Sequence, residues 1–372
     1  MYYHLILTDN CNLCCTYCRG KAFTVDPLET CDIAVDEELP VDLDIDLADL
    51  YRFLAKDSDA VLTFYGGEPL LAVDRVREIA RDAPVSALIL HTNGTLLDHL
   101  EPATANRFDT ILISIDGPEE LTDAHRGEGT FRRIMRNLRG LAAGGFAGEV
   151  IARMTVNEDT DIVEAVRYLT ENDEFSFPAV HWQMDANFWN DYSSRDYAAW
   201  AEESYNPGIR SLVAFWVETM QREGRVLRWY PFMDPVQDML LSRPSMLRCG
   251  CGHANYSIMT DGHIAPCPIM VGMKDYYVGQ IATADPLHLP VTTVGGRCTE
   301  CSIRDFCGGR CLYSNITRPW PEEGRRVVCG TVENLYSALS AALPEIRRLI
   351  DAGRIRMEDF DHRKYNSCEI IP

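Results

Sequence analysis

Positively charged residues are scarce in this chain of 372 residues. Its 35 lysines and arginines stand against 56 aspartates and glutamates, which leaves a net charge of −21 at pH 7. Proteins that bind nucleic acid regardless of its sequence, or that bind anionic membranes, depend on an excess of lysine and arginine. The composition therefore argues against both functions. It favours high solubility and is compatible with a basic substrate.

Long apolar runs and an export signal are also missing. No stretch of about 18 apolar residues occurs, so a transmembrane helix is not expected. The N-terminal sequence MYYHLILTDN has no basic region and becomes polar after seven residues, unlike a signal peptide. We therefore expect a cytoplasmic protein.

Cysteine is absent from the middle of the chain, between Cys31 and Cys249. Apart from Cys31 and Cys368, the 14 cysteines lie in two groups: Cys11, Cys14, Cys15 and Cys18, then Cys249, Cys251, Cys267, Cys298, Cys301, Cys307, Cys311 and Cys329. A secreted disulfide-stabilised protein would be short, with cysteines spread throughout. Close groups of cysteine in a cytoplasmic protein indicate metal sites instead.

Short apolar segments of β type alternate with helical patterns from residue 1 to about 185. The strand candidates are residues 3–8, 61–64, 86–91, 110–115, 150–156 and 180–184. Between them, apolar residues recur at helical spacing in 47–56, 71–83, 131–143 and 161–172. This alternation predicts a parallel α/β sheet, curled or open, with its chemistry at the carboxyl ends of the strands.

The other parts of the chain have different patterns. Residues 19–46 are acidic without a clear period and predict a long loop with a short hairpin. Residues 192–241 are helical and aromatic and predict a connector that packs against the sheet. Periodicity fades from 249 to 329, so we expect an inorganic group to order that segment. Residues 332–350 predict an amphipathic helix interrupted at Pro344.

The segment CNLCCTYC, residues 11–18, contains three cysteines with the spacing Cys-x3-Cys-x2-Cys directly after the first strand. Cys11, Cys15 and Cys18 can hold three corners of a cubane cluster and leave the fourth iron open for a chelating substrate. Taken alone, the triplet is equally compatible with a zinc site or with chance. Cys14 offers an alternative ligand, and we expect it to be a packed free thiol.

The segment YGGEPLL follows the second strand at residues 65–71. With the cysteine triplet and Tyr17, it resembles the radical SAM superfamily. In that family the open iron binds the amino and carboxylate groups of S-adenosylmethionine (SAM), and an electron from the reduced cluster breaks the S–C5′ bond to give a 5′-deoxyadenosyl radical. The resemblance implies that Tyr17 contributes to the cofactor site and that the methionine ammonium is received by Gly66, Gly67, Glu68 and Pro69. Taken alone, the GGEP segment would be equally compatible with an ordinary turn from a strand to a helix.

Two further segments at strand ends are TNGTLL, residues 92–97, and SIDGPEELTDAHRGEGTF, residues 114–131. Both resemble the corresponding segments of family members that carry extra clusters. The resemblance implies that Thr130 and Arg153 hold the ribose or carboxylate of the cofactor. Asn93 and Ser114 are further cofactor-contact candidates. The alternative for Arg153 is a surface ion pair, and we expect Asp116 only to shape its turn.

The later cysteines have the spacing C-x10-G-x4-C, then C-x2-C-x5-C-x3-C, then a final cysteine after seventeen residues. This pattern resembles the SPASM domain of radical SAM enzymes. The resemblance implies one auxiliary cluster on Cys251, Cys267 and Cys311, and a second on Cys298, Cys301, Cys307 and Cys329. Structural zinc is the alternative, since paired cysteines also bind zinc.

Cys249 is the candidate fourth ligand of the first auxiliary cluster. It lies only two residues before Cys251. If it does not reach the cluster, an open iron remains that can bind substrate directly. Asp261 and Gly262 predict a hairpin turn.

The resemblance extends from about residue 3 to 335 and implies an architecture and a set of cofactors. Residues 1–190 would form a radical SAM core, a partial (β/α)6 barrel of TIM type, followed by a helical connector over 191–247. Residues 248–335 would form the SPASM domain, and 336–372 a C-terminal helix and tail. The implied cofactors are SAM and three [4Fe–4S] clusters, one that binds SAM and two auxiliary.

The likeness extends to peptide-modifying radical SAM/SPASM proteins of methanogenic archaea. It implies hydrogen abstraction from a ribosomally made peptide or protein side chain, giving a cross-link, an epimer or an oxidised product. Sulfatase-maturing enzymes have an aspartate directly after the cysteine corresponding to Cys267, and Pro268 stands here, which disfavours that activity. Asp185 is the candidate general base or a turn cap, and the other candidate substrate contacts are Trp182, Gln183 and Asn187.

The expected partners are the peptide and a reductant such as ferredoxin or flavodoxin. Because the chain starts at the first strand, a leader peptide would need a separate recognition protein. No nucleic acid or membrane partner is expected. The alternatives are a radical SAM dehydrogenase of a small molecule and a non-catalytic iron–sulfur protein for electron transfer or scaffolding. Cys31 and Cys368 are expected to be free thiols.

Overall fold

The computed structural model of the chain describes residues 1–18, 33–366 and 371–372. These residues form two compact units. Unit 1 comprises residues 1–152, 173–175 and 250–293, whereas unit 2 comprises residues 153–172, 176–249 and 294–372. Cys31, Cys368 and residues 19–32 of the predicted loop lie outside the described residues. Within the described ranges, no helix is long and apolar enough to cross a membrane.

Strands and helices alternate in unit 1. Strands β1 to β4 are Tyr2–Ile6, Val61–Tyr65, Ala87–Thr92 and Thr110–Ser114. Helices α1 to α4 are Leu47–Leu54, Val73–Asp82, Glu119–Arg126 and Thr130–Ala143, with a short helix at Pro102–Ala105. Strands β1 to β4 pair in parallel in chain order. Strand β5 (Glu149–Val156) is next in the sheet order and is divided between the units. The predicted parallel α/β sheet is confirmed.

The strands of unit 1 are buried along nearly their whole length, because helices cover a parallel sheet on its faces. Leu62, Phe64, Ile89 and Ile111 have no exposed surface. The helices are amphipathic, and each buries one apolar stripe, which is why their periodicity was readable in the sequence.

A segment from late in the chain completes the sheet of unit 1. It forms strands β8 to β10, which are Asn255–Ile258, His263–Ala265 and Gly279–Gln280. Strand β8 pairs in parallel with β1, and β9 pairs antiparallel with both β8 and β10. Gly262 has φ +87° in the β8–β9 turn, which confirms the predicted hairpin. The sequence did not predict these strands, since segments of two to four residues carry no readable period.

Unit 2 is mostly helical. Its elements are helix α5 (Ile162–Thr170), strand β6 (Ala179–Met184), helix α6 (Asn206–Glu223), strand β7 (Arg228–Trp229) and helix α7 (Tyr230–Leu241). A short helix, Tyr197–Trp200, and a π-helical segment, Ala201–Tyr205, lead into α6. Further short helices are Arg304–Cys307 and Leu312–Thr317. Strands β6 and β7 pair in parallel. The helical prediction for 192–241 is confirmed.

Helix α8 runs from Glu322 to Asp351 without interruption, although it contains Pro344. The predicted interruption is therefore wrong. Apolar side chains are buried on both sides of the proline, and the helix packs along α6 within unit 2: Leu335 and Leu339 before it, Ile346 and Leu349 after it. This burial outweighs the one hydrogen bond that proline cannot donate.

Replacing Pro344 by alanine should raise the free energy of unfolding by about 1–3 kcal/mol. Alanine restores the missing N–H donor and removes the clash of the proline ring with the carbonyl of Ser340. The greater freedom of the unfolded chain offsets part of the gain. Urea unfolding at constant m-value measures the change, and an unchanged or lower midpoint would contradict this account of the helix.

Candidate functional site

The first cysteine group lies at the carboxyl end of β1, at the sheet edge that β2, β3 and β4 share. The N–H of Cys18 donates to the carbonyl of Cys15 at 3.0 Å, which closes a turn in the loop. Burial raises the pKa of Cys15 to about 11, and the nearby Cys18 and Cys11 thiols act in the same direction against Arg126. The three thiols thus lie within electrostatic reach of one another. Cys14 is exposed, so the expectation that it is packed is wrong.

The GGEP segment lies directly against the chain entering this cysteine loop. The N–H of Gly67 donates to the carbonyl of Thr8 at 2.7 Å, and the N–H of Glu68 donates to the carbonyl of Asn10 at 2.8 Å. A Cβ atom on Gly66 would lie 2.3 Å from the oxygen of Thr8, and one on Gly67 would lie 2.2 Å from the oxygen of Asn10. Only glycine permits this approach.

Replacing Gly67 by alanine should destabilise the protein by about 1–3 kcal/mol, because the methyl group can be accommodated only by moving the backbone at Asn10. That movement also displaces Cys11, so SAM affinity should fall at least about tenfold. Equilibrium dialysis of SAM and urea unfolding measure the two effects. Gly140→Ala is the matched control. It lies in α4 with nothing within 4 Å of its added Cβ, and it should be neutral or slightly stabilising.

Glu68 is completely buried and joins the ends of β2 and β3. Its carboxylate accepts hydrogen bonds from the N–H of Leu70 at 3.0 Å, the hydroxyl of Thr92 at 2.8 Å and the N–H of Asn93 at 2.7 Å. Burial raises the pKa of Glu68, although the donors from Asn93, Leu70 and Thr92 oppose the rise. The Glu68 side chain therefore braces the loops around the cysteines.

Asn93 connects the end of β3 to the cysteine loop. Its amide donates to the side chain of Asn12 at 2.8 Å and approaches the Cys11 sulfur at 3.8 Å. Asn12 in turn donates to the Thr95 hydroxyl at 2.8 Å, and Thr95 donates back to the Asn93 side chain. The predicted cofactor residue Asn93 is thus held next to the first cysteine of the triplet.

A buried ion pair beneath the loop was missed in the sequence. Arg126 donates from Nε and Nη2 to the Asp116 carboxylate at 2.8 and 3.0 Å, and the Tyr17 hydroxyl donates to the same carboxylate at 2.6 Å. Burial alone would raise the pKa of Asp116, but Arg126 and His125 outweigh it and hold that pKa at about 2. Asp116 therefore does more than shape its turn. Arg126, ten residues after Asp116 in the sequence, was the available signal.

The remaining predicted cofactor contacts lie at strand and helix ends. In unit 1, Ser114 lies 3.4 Å from the ring of His91, and the Thr130 hydroxyl donates to the carbonyl of Arg126 at 3.4 Å. In unit 2, Nη2 of Arg153 donates to the side chain of Gln183 at 2.9 Å. The structure thus joins Thr130 to the Asp116–Arg126 region.

The end of β6 contains the predicted substrate contacts. Trp182 is fully buried and donates to the Tyr205 hydroxyl at 3.2 Å, so it is a core residue and its prediction as a substrate contact is wrong. Asp185 is also buried and lies 3.4 Å from Arg195, which pairs with Glu158 at 2.6 Å. The role of Asp185 as a general base stays a prediction.

The cysteines predicted for the first auxiliary cluster belong to both units. In unit 1, Cys251 and Cys267 are buried in neighbouring segments, since the N–H of Gly252 donates to the carbonyl of Pro266 at 2.9 Å. Cys249 and Cys311 belong to unit 2. The set of ligands stays a prediction from the spacing.

The segment before Cys249 is firmly held within unit 2. The N–H of Leu247 donates to the carbonyl of Gly308 at 2.9 Å, and Nε of Arg248 donates to the carbonyl of Phe306 at 2.6 Å. Arg248 is buried and pairs with Asp234 and Asp238 at 2.6 and 2.8 Å. The Cys249 end of this segment is thereby fixed beside residues 306–308.

The four cysteines predicted for the second auxiliary cluster influence one another. Burial raises the pKa of Cys307 to about 11, and the Cys298 and Cys329 thiols add to the rise. Burial also raises the pKa of Cys329, with further contributions from Cys298 and Cys301. Cys329 lies on helix α8, although the pattern of residues 249–329 shows no helical period there.

The donor set suits iron–sulfur clusters, which proteins hold chiefly through cysteine thiolates. Both groups consist of thiols, and Cys11 and Cys18 of the first group are exposed at the surface. In the part of the chain that the structure describes, no three His, Cys, Asp or Glu side chains converge at metal-ligand distances. The cysteines fit iron–sulfur clusters because their thiols are the usual ligands and because they lie in two groups of neighbouring residues.

Known proteins similar to this chain include two maturation enzymes. The mycofactocin maturase MftC of Mycobacterium tuberculosis (strain CDC 1551 / Oshkosh) is 25% identical over 351 residues, covering 87% of this chain and 81% of that protein. The cysteine-type anaerobic sulfatase-maturating enzyme of Clostridium novyi (strain NT) is 25% identical over 294 residues, covering 74% of each chain.

The fold is shared with a solved structure described as native anSMEcpe with bound AdoMet and Kp18Cys peptide. It has a TM-score of 0.67 and 20% identity, covering 94% of this chain and 98% of that chain. A model of the radical SAM superfamily matches residues 5–169. This match identifies a radical SAM domain at residues 5–169 of the chain.

Proposed function

We propose that the chain reductively cleaves SAM and uses the resulting radical to modify a peptide. The observation that carries the proposal is the pair of backbone hydrogen bonds that holds Gly67 and Glu68 against Thr8 and Asn10. These hydrogen bonds hold the GGEP turn directly beside the cysteine loop. The radical SAM domain at residues 5–169 implies a [4Fe–4S] cluster and SAM.

In this proposal Cys11, Cys15 and Cys18 hold the SAM-binding cluster. When bound, cluster and SAM together supply a 5′-deoxyadenosyl radical that abstracts hydrogen from the substrate. Asn93 orients the loop through Asn12 and Cys11, and the buried Asp116–Arg126 pair fixes Tyr17 beneath it.

The SAM contacts are proposed on the same basis. Gly66 and Gly67 are the proposed backbone contacts of the cofactor, and their lack of a Cβ atom lets the GGEP turn lie against Thr8 and Asn10 beside the cysteine loop. Tyr17, Asn93, Ser114, Thr130 and Arg153 are the proposed side-chain contacts, with Glu68 and Pro69 completing the GGEP turn.

We further propose that residues 1–190 form a partial (β/α)6 barrel and that the later cysteines form a SPASM domain with two auxiliary [4Fe–4S] clusters. The neighbouring thiols of the second group support this: Cys298, Cys301, Cys307 and Cys329. The buried pair Cys251 and Cys267 supports the first auxiliary site.

A peptide is the proposed substrate because a similar structure contains a bound peptide and the curated relatives include maturation enzymes. Pro268 follows Cys267 and offers no carboxylate, so we infer a reaction other than sulfatase maturation. Cross-linking, epimerisation and oxidation remain the proposed outcomes. A cytoplasmic reductant such as ferredoxin or flavodoxin and a separate leader-binding protein complete the proposal.

Anaerobic reconstitution tests the proposal. Three clusters should bring about twelve irons per chain, and dithionite with SAM should release 5′-deoxyadenosine. An array of zinc would give about four irons instead. A peptide encoded by a short neighbouring reading frame should then lose 2 Da on cross-linking or oxidation, or keep its mass on epimerisation. If the reconstituted protein releases no 5′-deoxyadenosine, the proposed function is wrong.

A further inference from the structure

The loop that carries the first cysteine group is bound to the end of helix α3. The N–H of Thr16, the residue after Cys15, donates to the carbonyl of His125 at 2.9 Å. Arg126 is the next residue and the last of α3, so it directly follows the residue that holds the loop. This hydrogen bond fixes the end of α3 relative to the cysteine loop.

Tyr17 of the loop is surrounded by the side chains at this helix end. The guanidinium carbon of Arg126 lies 5.4 Å from the centre of the Tyr17 ring, and the His125 ring meets the same ring edge to face with centres 5.4 Å apart. The Tyr17 hydroxyl donates to the Asp116 carboxylate at 2.6 Å. Because Tyr17 directly precedes Cys18, the charges of Arg126 and Asp116 lie beside the cysteine loop.

Both of these charges are withdrawn from solvent. Arg126 is only 5% exposed, and Asp116 is completely buried. Buried charges are screened much less than surface charges, so they act more strongly on their neighbours. Burial has the largest effect on the pKa of the Cys15 thiol and raises it, while Arg126 lowers that pKa more than Asp116 raises it. Of the two charges, the arginine therefore has the greater influence at the Cys15 sulfur.

Reduction adds one electron, and hence one negative charge, to an iron–sulfur cluster. A buried positive charge nearby stabilises the added charge and raises the reduction potential, whereas a buried carboxylate lowers it. We propose that Arg126 raises the reduction potential of the cluster held by Cys11, Cys15 and Cys18, and that Asp116 limits this increase. The inference rests on the proposed function, which supplies the cluster.

The balance between the two charges affects which electron donors can serve the enzyme. A cluster with a higher reduction potential accepts an electron from a weaker reductant. Arg126 therefore widens the range of protein reductants, such as the proposed ferredoxin or flavodoxin, that can supply the electron. An arginine without Asp116 would retain the electron more firmly and leave less driving force for its transfer to SAM.

A purely structural role is the rival explanation, since the ion pair also holds Tyr17 and thereby the loop. The two explanations differ in the sign of the effects. If the pair only holds the loop, removing either partner disturbs the same contacts and shifts the reduction potential in the same direction. If the pair acts through its charges, loss of Asp116 and loss of Arg126 shift the potential in opposite directions.

The test is an anaerobic redox titration of the reconstituted holoenzyme at pH 8, followed by electron paramagnetic resonance. The signal of the first cluster is identified by its absence from the variant in which Cys11, Cys15 and Cys18 are all alanine. Asp116→Asn should favour the reduced cluster at least about tenfold, which raises the midpoint potential by at least about 59 mV for one electron. Arg126→Gln should lower the midpoint, disfavouring the reduced cluster at least about threefold.

Further variants control for disturbance of the loop. Arg126→Lys keeps the charge without the paired hydrogen bonds, so its midpoint should stay closer to the wild type than that of Arg126→Gln. The double variant Asp116→Asn/Arg126→Gln removes both charges and should lie between the two single variants. Arg132→Gln removes an exposed arginine of α4 that pairs with Glu119, and solvent screening should keep its effect on the equilibrium below about twofold.

Iron is measured before each titration, so that a lost cluster is not mistaken for a shifted potential. The proposal is overturned if Asp116→Asn and Arg126→Gln shift the midpoint in the same direction, or if Asp116→Asn keeps its iron and its wild-type midpoint. Should Asp116→Asn lose iron, the arginine variants decide, and equal midpoints of Arg126→Gln and Arg126→Lys would refute the role of charge. A wild type without the triplet-dependent signal would instead contradict the proposed function itself.

Discussion

Replacing Cys11, Cys15 and Cys18 together by alanine should reduce the release of 5′-deoxyadenosine at least about a thousandfold, to background. Without three thiolates in the loop there is no site for the SAM-binding cluster, and dithionite has no route to the cofactor. The measurement is anaerobic turnover of SAM with dithionite, followed by chromatography. Iron content should fall by about four per chain.

Cys14→Ala is the matched control for this experiment. Cys14 lies in the same loop but is exposed, and we have assigned it no ligand role. The variant should keep its iron and its SAM cleavage. Persistent cleavage in the triple variant would refute the radical SAM reaction, and loss of cleavage in Cys14→Ala would make Cys14 a ligand.

Replacing Asp116 by alanine should lower the free energy of unfolding by about 3–5 kcal/mol. The substitution leaves the buried Arg126 guanidinium without its carboxylate, and an unpaired buried charge is among the most destabilising changes. Urea unfolding of the reconstituted protein measures the loss. Tyr17→Phe removes only the phenolic hydrogen bond and should cost about 1 kcal/mol. Equal effects of the two variants would contradict the importance of the ion pair.

The same pair predicts a pH dependence. The pKa of Asp116 is held at about 2 in the folded protein, below the value of about 3.9 in unfolded chains. Its stabilisation is therefore fully present above about pH 4 and is lost as the pH falls toward 2. The Asp116→Ala variant should lack this part of the acid dependence in unfolding experiments from about pH 5 to 2.

The alternation of strands and helices was readable in the sequence because periodicity is a local property. The strand at 61–65 and the helix at 73–82 each carry their burial pattern within a few residues. The parallel sheet follows from that alternation. Strand β8 escaped prediction because its pairing with β1 joins Tyr2 to Asn255, and no local pattern encodes such a partner.

The features of the candidate site also fall into those that the sequence predicts and those that only the fold reveals. The cysteine spacing and GGEP are compact motifs, and they identified the loop that the structure places beside Thr8 and Asn10. The ion pair between Asp116 and Arg126 joins a strand end to a helix end, so it required the fold. Trp182 was misassigned because alternate residues of a strand face opposite sides, and its side faces the core.

Arg310 illustrates the limit of composition. The net charge of −21 is compatible with a basic substrate, yet charge acts locally, and five arginines between residues 297 and 326 line one cavity of unit 2. Arg310 itself has φ +52°, after two glycines that also have positive φ, and no sequence motif specifies these backbone angles.

The pairing of β8 with β1 has a consequence for biosynthesis. During translation, the β1 edge next to Asn255–Ile258 stays open until some 250 residues have left the ribosome. The N-terminal cysteine loop is therefore attached to an unfinished sheet throughout most of synthesis. Contacts of such long sequence separation form slowly, which leaves Cys11, Cys15 and Cys18 open to oxidation or misplaced metal. Delivery of iron is thus best timed after the second cysteine group has emerged.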